Sequence, residues 1–468
     1  MTTMLTAEEP STVYKVLRQP QAVVGQLRDF VRPRREKALP SQVPHLPYVG
    51  MEHVEAHTMR LLGTSEAKTM KSSANRFYPG DVLYGRLRPY LNKVFRADFE
   101  GICSPEFIVL PETQGLHPDF IRYRLNSHDF VTFASRLNAG DRPRVDFDEI
   151  SQFTVAIPDE RGQARVVAYL DEQLSRLDAS VTALLRAKAN LKRYRASVLK
   201  AACEGRLVPT EAELARAEGR TFETGAQLLQ RSLAERREYW PRKGKYGEPI
   251  APAAVSASEL PSHWAWATVG QLLREPLCNG LSIKGSDSPP GVPALKLNAM
   301  SEAGFDYEQM RYLPIAESSV ADIVIQAGDH FVSRGNGSLD LVGRGTVAQP
   351  APRPTIFPDT MIRMRLCALV RDSHWMRLIW SSLWVRGQIE RKVKTTAGIY
   401  KISQPELESI VIPLPSLPEQ HRIVTEADRR LSLIRGAEAQ VSANLARAKR
   451  LRQSILQAAF AQPGSAGQ

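Results

Sequence analysis

The chain has 468 residues, is 43% hydrophobic and 24% charged, and carries a net charge of +12. At about 150 residues per domain this length calls for two or three domains of an ordinary soluble, globular type. No run of about 18 apolar residues occurs, which excludes a membrane-spanning helix. A pI of 9.6 makes a polyanion, nucleic acid first, the partner class to test. The start, "MTTMLTAEEPSTVYKV", has no basic stretch leading into an apolar one, so a cytoplasmic chain is expected. Cys103, Cys203, Cys278 and Cys367 are scattered, with no CxxC spacing, as reduced buried thiols would be.

In chain order, residues 1–20 read as an N-terminal segment and 21–158 as a first globular domain. Within it "DVLYGRL" and "EFIVL" have strand character, while "HPDFIRYRLNSHDFVTFASRL" is helical. Residues 159–206 read as one long helix. Residues 207–259 read as a linker, helical over "TEAELARAEGRTFETGAQLLQRSLAERREYW" and then rich in proline, glycine and alanine. A second globular domain covers 260–413, with strands at "DHFVSR" and "TMIRMRL" and helix over "DSHWMRLIWSSLWVRGQIERKV". A second long helix and a tail cover 414–468. Each globular part reads as α+β.

The two halves repeat each other. Sliding "PLPSLPEQHRIVTEADRRLSLI" back about 257 positions lays it over "AIPDERGQARVVAYLDEQLSRLDASV", with roughly 15 of about 48 positions identical through the helices. "KRLRQSILQAA" falls on "KRYRASVLKAA". Three shorter echoes extend the repeat into the domains. "VVGQLRDF" (23–30) echoes "TVGQLLRE" (268–275), and "YPGDVLYGRLRPYL" (78–91) echoes "IQAGDHFVSRGNGSL" (325–339). "NAGDRPRVDFDEISQFTVAIP" (138–158) echoes "TAGIYKISQPELESIVIPLP" (396–415).

Both long helices carry apolar residues at alternating steps of three and four. Leu174, Leu177, Leu184 and Leu191 mark the first seam, and Leu431, Ile434 and Val441 the second. That is the heptad pattern of a coiled coil. A helix of about 45 residues is about 65 Å long and needs more than one small domain to cover it.

Signs of catalysis are sparse. There is no phosphate loop, no HExxH and no GxSxG. His53 and His57 in "HVEAH" could share a helix face, but no third metal ligand accompanies them. Asp359, Glu390 and Lys392 give a distant echo of a Mg²⁺-dependent nuclease. What remains are basic, polar and aromatic clusters at matching places in the two halves. The first half offers Arg86, Arg88, Tyr90, Asn92 and Lys93 in one stretch, and Arg142 and Arg144 in another. The second offers Arg334, Asn336 and Ser338, then Lys394, Thr395, Tyr400 and Lys401. Arginine suits guanine and asparagine adenine, while lysine and threonine suit phosphates.

Domain, helix, domain, helix, closed by "IPLPSLPEQHRIVTEADRRLSLI…RLRQSILQAAF" and with "LPSHWAWATVGQL" opening the second half, resembles the specificity subunit of type I restriction–modification enzymes. The first half departs: "PDERGQARVV" stands where "PLPEQ" is expected, and the LPxxW opener is missing. The resemblance implies two target-recognition domains on two antiparallel helices in a pseudo-twofold arrangement. Each domain would read one half of a split site in double-stranded DNA. The helices, with Gln420 and Arg422 at the head of the second, would set the gap and dock two methyltransferase subunits. It further implies S-adenosylmethionine in those partners, ATP and Mg²⁺ in the restriction subunits, and no cofactor, metal or catalysis in this chain. A coiled-coil assembly scaffold that does not read DNA is the first alternative, and a Mg²⁺-dependent nuclease using Asp359, Glu390 and Lys392 the second.

Overall fold

The structure is a computed structural model that describes residues 22–240, 246–253, 260–372, 374–396 and 398–460. The segment expected over 1–20 and most of the tail lie outside them. The described residues form two compact units, one from within Met1–Arg186 and Val441–Gln468, the other from within Ala187–Gln440. Each is α+β.

In the first unit, Val82–Gly85 is the middle strand of three, between Val94–Arg96 and Phe107–Leu110. Every residue of Val82–Gly85 and of Phe107–Leu110 is buried, which explains continuous apolar runs rather than alternation. The helical stretch at 117–137 is two helices, Pro118–Asn126 and His128–Arg136, divided at Ser127. They close a core that joins Tyr84, Phe120 and Phe130 to Leu170 and Leu174 of the first long helix, and to Leu456 of the second.

In the second unit, His330–Ser333 and Met361–Met364 are adjacent strands of a four-stranded sheet. The helices Trp375–Trp380 and Leu383–Lys392 cover its neighbours. Its core also takes in Val198 and Leu199 of the first long helix, with Ala427, Leu431 and Ile434 of the second.

The long helices are Glu160–Cys203 and Leu417–Phe460, 44 residues each. In the first unit the early part of one lies with the late part of the other, as the ion pair between Asp178 and Arg452 records. In the second unit the order is reversed. The helices therefore run antiparallel. Leu174, Leu177, Leu431, Ile434 and Val441 are buried along the seam, and Leu184 and Leu191 are half-buried.

The stretch read as a linker needs correction. Its helical part forms Glu211–Glu218 and Gly225–Tyr239, which belong to the second unit. Leu228 and Leu229 enter that unit's core, and a Cβ on Gly225 would stand 2.0 Å from the Leu414 carbonyl. Residues 241–245 and 254–259 of the same stretch lie outside the described ones. Thr210 and Glu213 cap the first of these helices reciprocally, and Gly219 ends it in the left-handed conformation at φ 64°. Thr210→Ala is expected to cost about 1 kcal/mol in urea unfolding of the full chain; an unchanged midpoint would mean the cap is idle.

Candidate nucleic-acid interface

Each unit builds its rim on the same backbone frame. In the first, Gly80 turns at φ 92° and donates its N–H to the Ala97 carbonyl at 2.9 Å. In the second, Gly328 turns at φ 88° and donates to Ala348 at 2.9 Å. Only glycine adopts this conformation without strain. The next residue is a buried aspartate in both cases. Asp81 accepts from the Tyr78 N–H at 3.0 Å and from Arg34 Nε and Nη2 at 2.9 and 3.0 Å. Asp329 accepts from the Gln326 N–H at 2.9 Å and from Arg365 Nε and Nη2 at 2.7 and 2.8 Å. Such a fork of donors offsets the cost of burying a carboxylate. Neither arginine stood out in the sequence, because Arg34 and Arg365 do not occupy matching positions; the two "GD" pairs were the available signal.

The strand after each aspartate leads to the rim. Arg86 and Arg334 donate their backbone N–H to the carbonyls of Glu106 and Thr360, both at 2.8 Å. Their own carbonyls accept from Val145 at 3.0 Å and Ile402 at 2.9 Å. One step on, Leu87 bridges to Arg144, and Gly335 pairs with Lys401. The two sequence clusters of each half are thus brought side by side: 86–93 with 142–144, and 334–338 with 394–401.

The frame also sorts the candidate side chains. Arg88 is half-buried, while Tyr90, Arg142 and Arg144 are exposed. Arg144 is engaged by Glu106 at 2.5 Å. Asn92 is a turn residue rather than a rim residue. It is 1% exposed, sits at φ 43°, and its amide reaches the Asn126 carbonyl. Lys93 turns inward and donates to the Met51 carbonyl at 2.5 Å. In the second unit Ser338, Lys394, Thr395 and Lys401 are exposed, and Arg334, Asn336 and Tyr400 half-buried. Burial alone would raise the Glu406 carboxyl; the Lys394 ammonium at 2.7 Å and the Ser403 hydroxyl hold it instead at about 2. Lys394 must leave that carboxylate to meet a phosphate.

Other sequence candidates are placed elsewhere. His53 and His57 share no helix: His53 ends a short 3₁₀ turn, and His57 stands at φ 64°. Glu390 pairs with Arg386, and Lys392 donates to Ser409 Oγ, so neither stands free beside Asp359. Gln420 is fully buried, its amide donating to the Pro415 carbonyl at 2.8 Å. Gln163, its copy, does the same to Pro158 at 2.9 Å. Both hold the turn from strand into long helix, and neither has surface to offer a partner. Arg422 pairs with the buried Glu211 at 2.6 Å. The basic clusters near the helix ends supply another matched pair, Arg195 with Glu302 at 2.6 Å and Arg452 with Asp178.

The chain thus carries two unlike copies of one α+β unit, each with a basic and polar rim on a common frame. Comparison with known proteins finds similar chains. The chain is 27% identical over 365 residues to the EcoKI specificity subunit of the type I restriction enzyme of Escherichia coli K12, covering 77% of this chain and 67% of the relative. It is 24% identical over 370 residues to the StySPI specificity subunit of Salmonella potsdam, covering 78% and 69%. A solved structure, from work on the assembly and conformational transition of the type I restriction–modification system, shares the fold. It has a TM-score of 0.60 at 20% identity and covers 94% of this chain and 98% of its own. No family model matches. The chain is thus similar over most of its length to specificity subunits of type I restriction enzymes.

Proposed function

We propose that the chain is the DNA-reading subunit of a type I restriction–modification complex. Each unit reads one half of a bipartite site, and the antiparallel helices set the gap and dock two methyltransferase subunits. Methyl transfer from S-adenosylmethionine then falls to those partners, and ATP- and Mg²⁺-dependent cutting to the restriction subunits. The observation that carries this reading is the shared frame with unlike contents. Leu87 bridging Arg144 and Gly335 pairing with Lys401 put different side chains on equivalent backbone. Two such heads suit an asymmetric split site, as identical heads suit a palindrome.

Salt dependence separates this from a scaffold that does not bind DNA. Arg142, Arg144, Lys394 and Lys401 supply four exposed cations. If each neutralises one phosphate, log K against log salt should slope at about −3.5 or steeper. A slope shallower than about −1 in fluorescence-anisotropy titrations of the full chain with duplex DNA would remove DNA reading.

A further inference from the structure

We infer that Arg88 and Asn336 are the equivalent base-reading residues of the two half-sites, Arg88 selecting guanine and Asn336 selecting adenine at corresponding base pairs. The inference rests on the DNA-reading function proposed above and goes further by naming the readers and their bases.

The equivalence comes from hydrogen-bond register rather than from sequence likeness. Both residues lie two positions past the matched arginines, Arg86 and Arg334, and one past the matched pairings Leu87 with Arg144 and Gly335 with Lys401. Arg88 donates its backbone N–H to Pro143 at 2.7 Å, and Asn336 pairs with Tyr400. Pro143 and Tyr400 each directly precede a matched rim cation, Arg144 and Lys401. The neighbours are committed to the protein. Arg86 Nε donates to the Val145 carbonyl at 3.1 Å, and Arg334 lies toward the Asp359 carbonyl. Lys93 donates to Met51. The Ser338 hydroxyl donates to Asp340 at 2.5 Å.

Arg88 and Asn336 keep the groups that base edges require. No described side chain pairs with the Arg88 guanidinium. It therefore retains the fork of donors that fits guanine O6 and N7. Its backbone, at φ 52° and ψ 66°, occupies a region costly for arginine. Bonds from its own N–H to Pro143 and from Leu91 N–H to its carbonyl hold it there. Such over-determined strain is a mark of functional positions. The Asn336 Oδ1 accepts from the Ser338 N–H at 3.1 Å, which fixes the carboxamide. Its NH₂ and a second lone pair stay free, the donor and acceptor that fit adenine N7 and N6.

The test is selection of bound duplexes from a random library by the full-length chain, with Arg88→Asn and Asn336→Arg beside the unsubstituted protein. Asparagine accepts the left-handed region better than arginine, so Arg88→Asn keeps the fold; melting curves of both variants check this. In the unsubstituted protein one half-site should hold guanine and the other adenine at the read positions. Arg88→Asn should change that guanine to adenine in one half-site only, and Asn336→Arg should make the reverse change in the other. Each switch should reach about tenfold or more. Variants that return the original motif, or lose affinity evenly across sequences, overturn the assignment. An unsubstituted protein that enriches no motif overturns the DNA-reading function itself, which is a different result.

Discussion

Glu419→Ala should lower the unfolding free energy of the second unit by about 3–5 kcal/mol. The Glu419 side chain is fully buried. Its carboxylate accepts from His263 Nε2 at 2.9 Å, Trp264 Nε1 at 3.0 Å and the Glu211 backbone N–H at 3.1 Å. Removing it strands three buried donors, and each stranded donor costs about 1–3 kcal/mol. Glu419→Gln keeps the shape and one acceptor oxygen, so a smaller loss is expected. Urea unfolding followed by tryptophan fluorescence measures both, and the loss should fall on one transition if the two units unfold separately. A change below about 0.5 kcal/mol for the alanine variant would mean the network is ornamental.

The second large effect concerns spacing. Seven residues inserted into each long helix, between Leu184 and Leu191 and between Ile434 and Val441, preserve the heptad phase. They add about 10.5 Å of helix, equal to about three base pairs. The half-site sequences should stay the same while the gap between them grows by about that amount. Inserting into one helix alone should unpair the seam and abolish the motif. An unchanged gap after the double insertion would show that helix length does not set it.

The Glu419 network also accounts for the unequal copies. Gly162 stands at the place of Glu419, and Ala22 directly precedes the strand Val23–Gln26 as Trp264 precedes Ala265–Thr268. The first half therefore lacks both the carboxylate and the indole that it would hold. The missing LPxxW opener and the different helix start go together, because Trp264 of the one motif touches Glu419 of the other.

Other features were legible only in part. The long helices were plain, since apolar periodicity is a direct consequence of which face is buried. The "VGQL" echo was misleading by three residues. The strand register places Gln26 with Thr268, each opening a short helix, whereas Gln271 caps that helix from within. Short identical strings need not share a backbone role. Asn92 and Lys93 looked like rim residues because sequence shows residue type and not burial. The helices at 211–239 looked like a linker because their apolar faces are narrow, and nothing in the residues reveals the sheet edge they cover. The matched turns at Gly80 and Gly328 lie within a repeated stretch of sequence, yet the pairing of their buried aspartates with Arg34 and Arg365 is visible only in the structure.

The central claim is that one chain reads two different half-sites at a fixed separation. Co-expression with a partner methyltransferase subunit, followed by single-molecule sequencing of methylated adenines, tests it most directly. One asymmetric motif made of two specified blocks around an unspecified gap of constant length is expected. A continuous motif, two identical blocks, or methylation without any motif would contradict it.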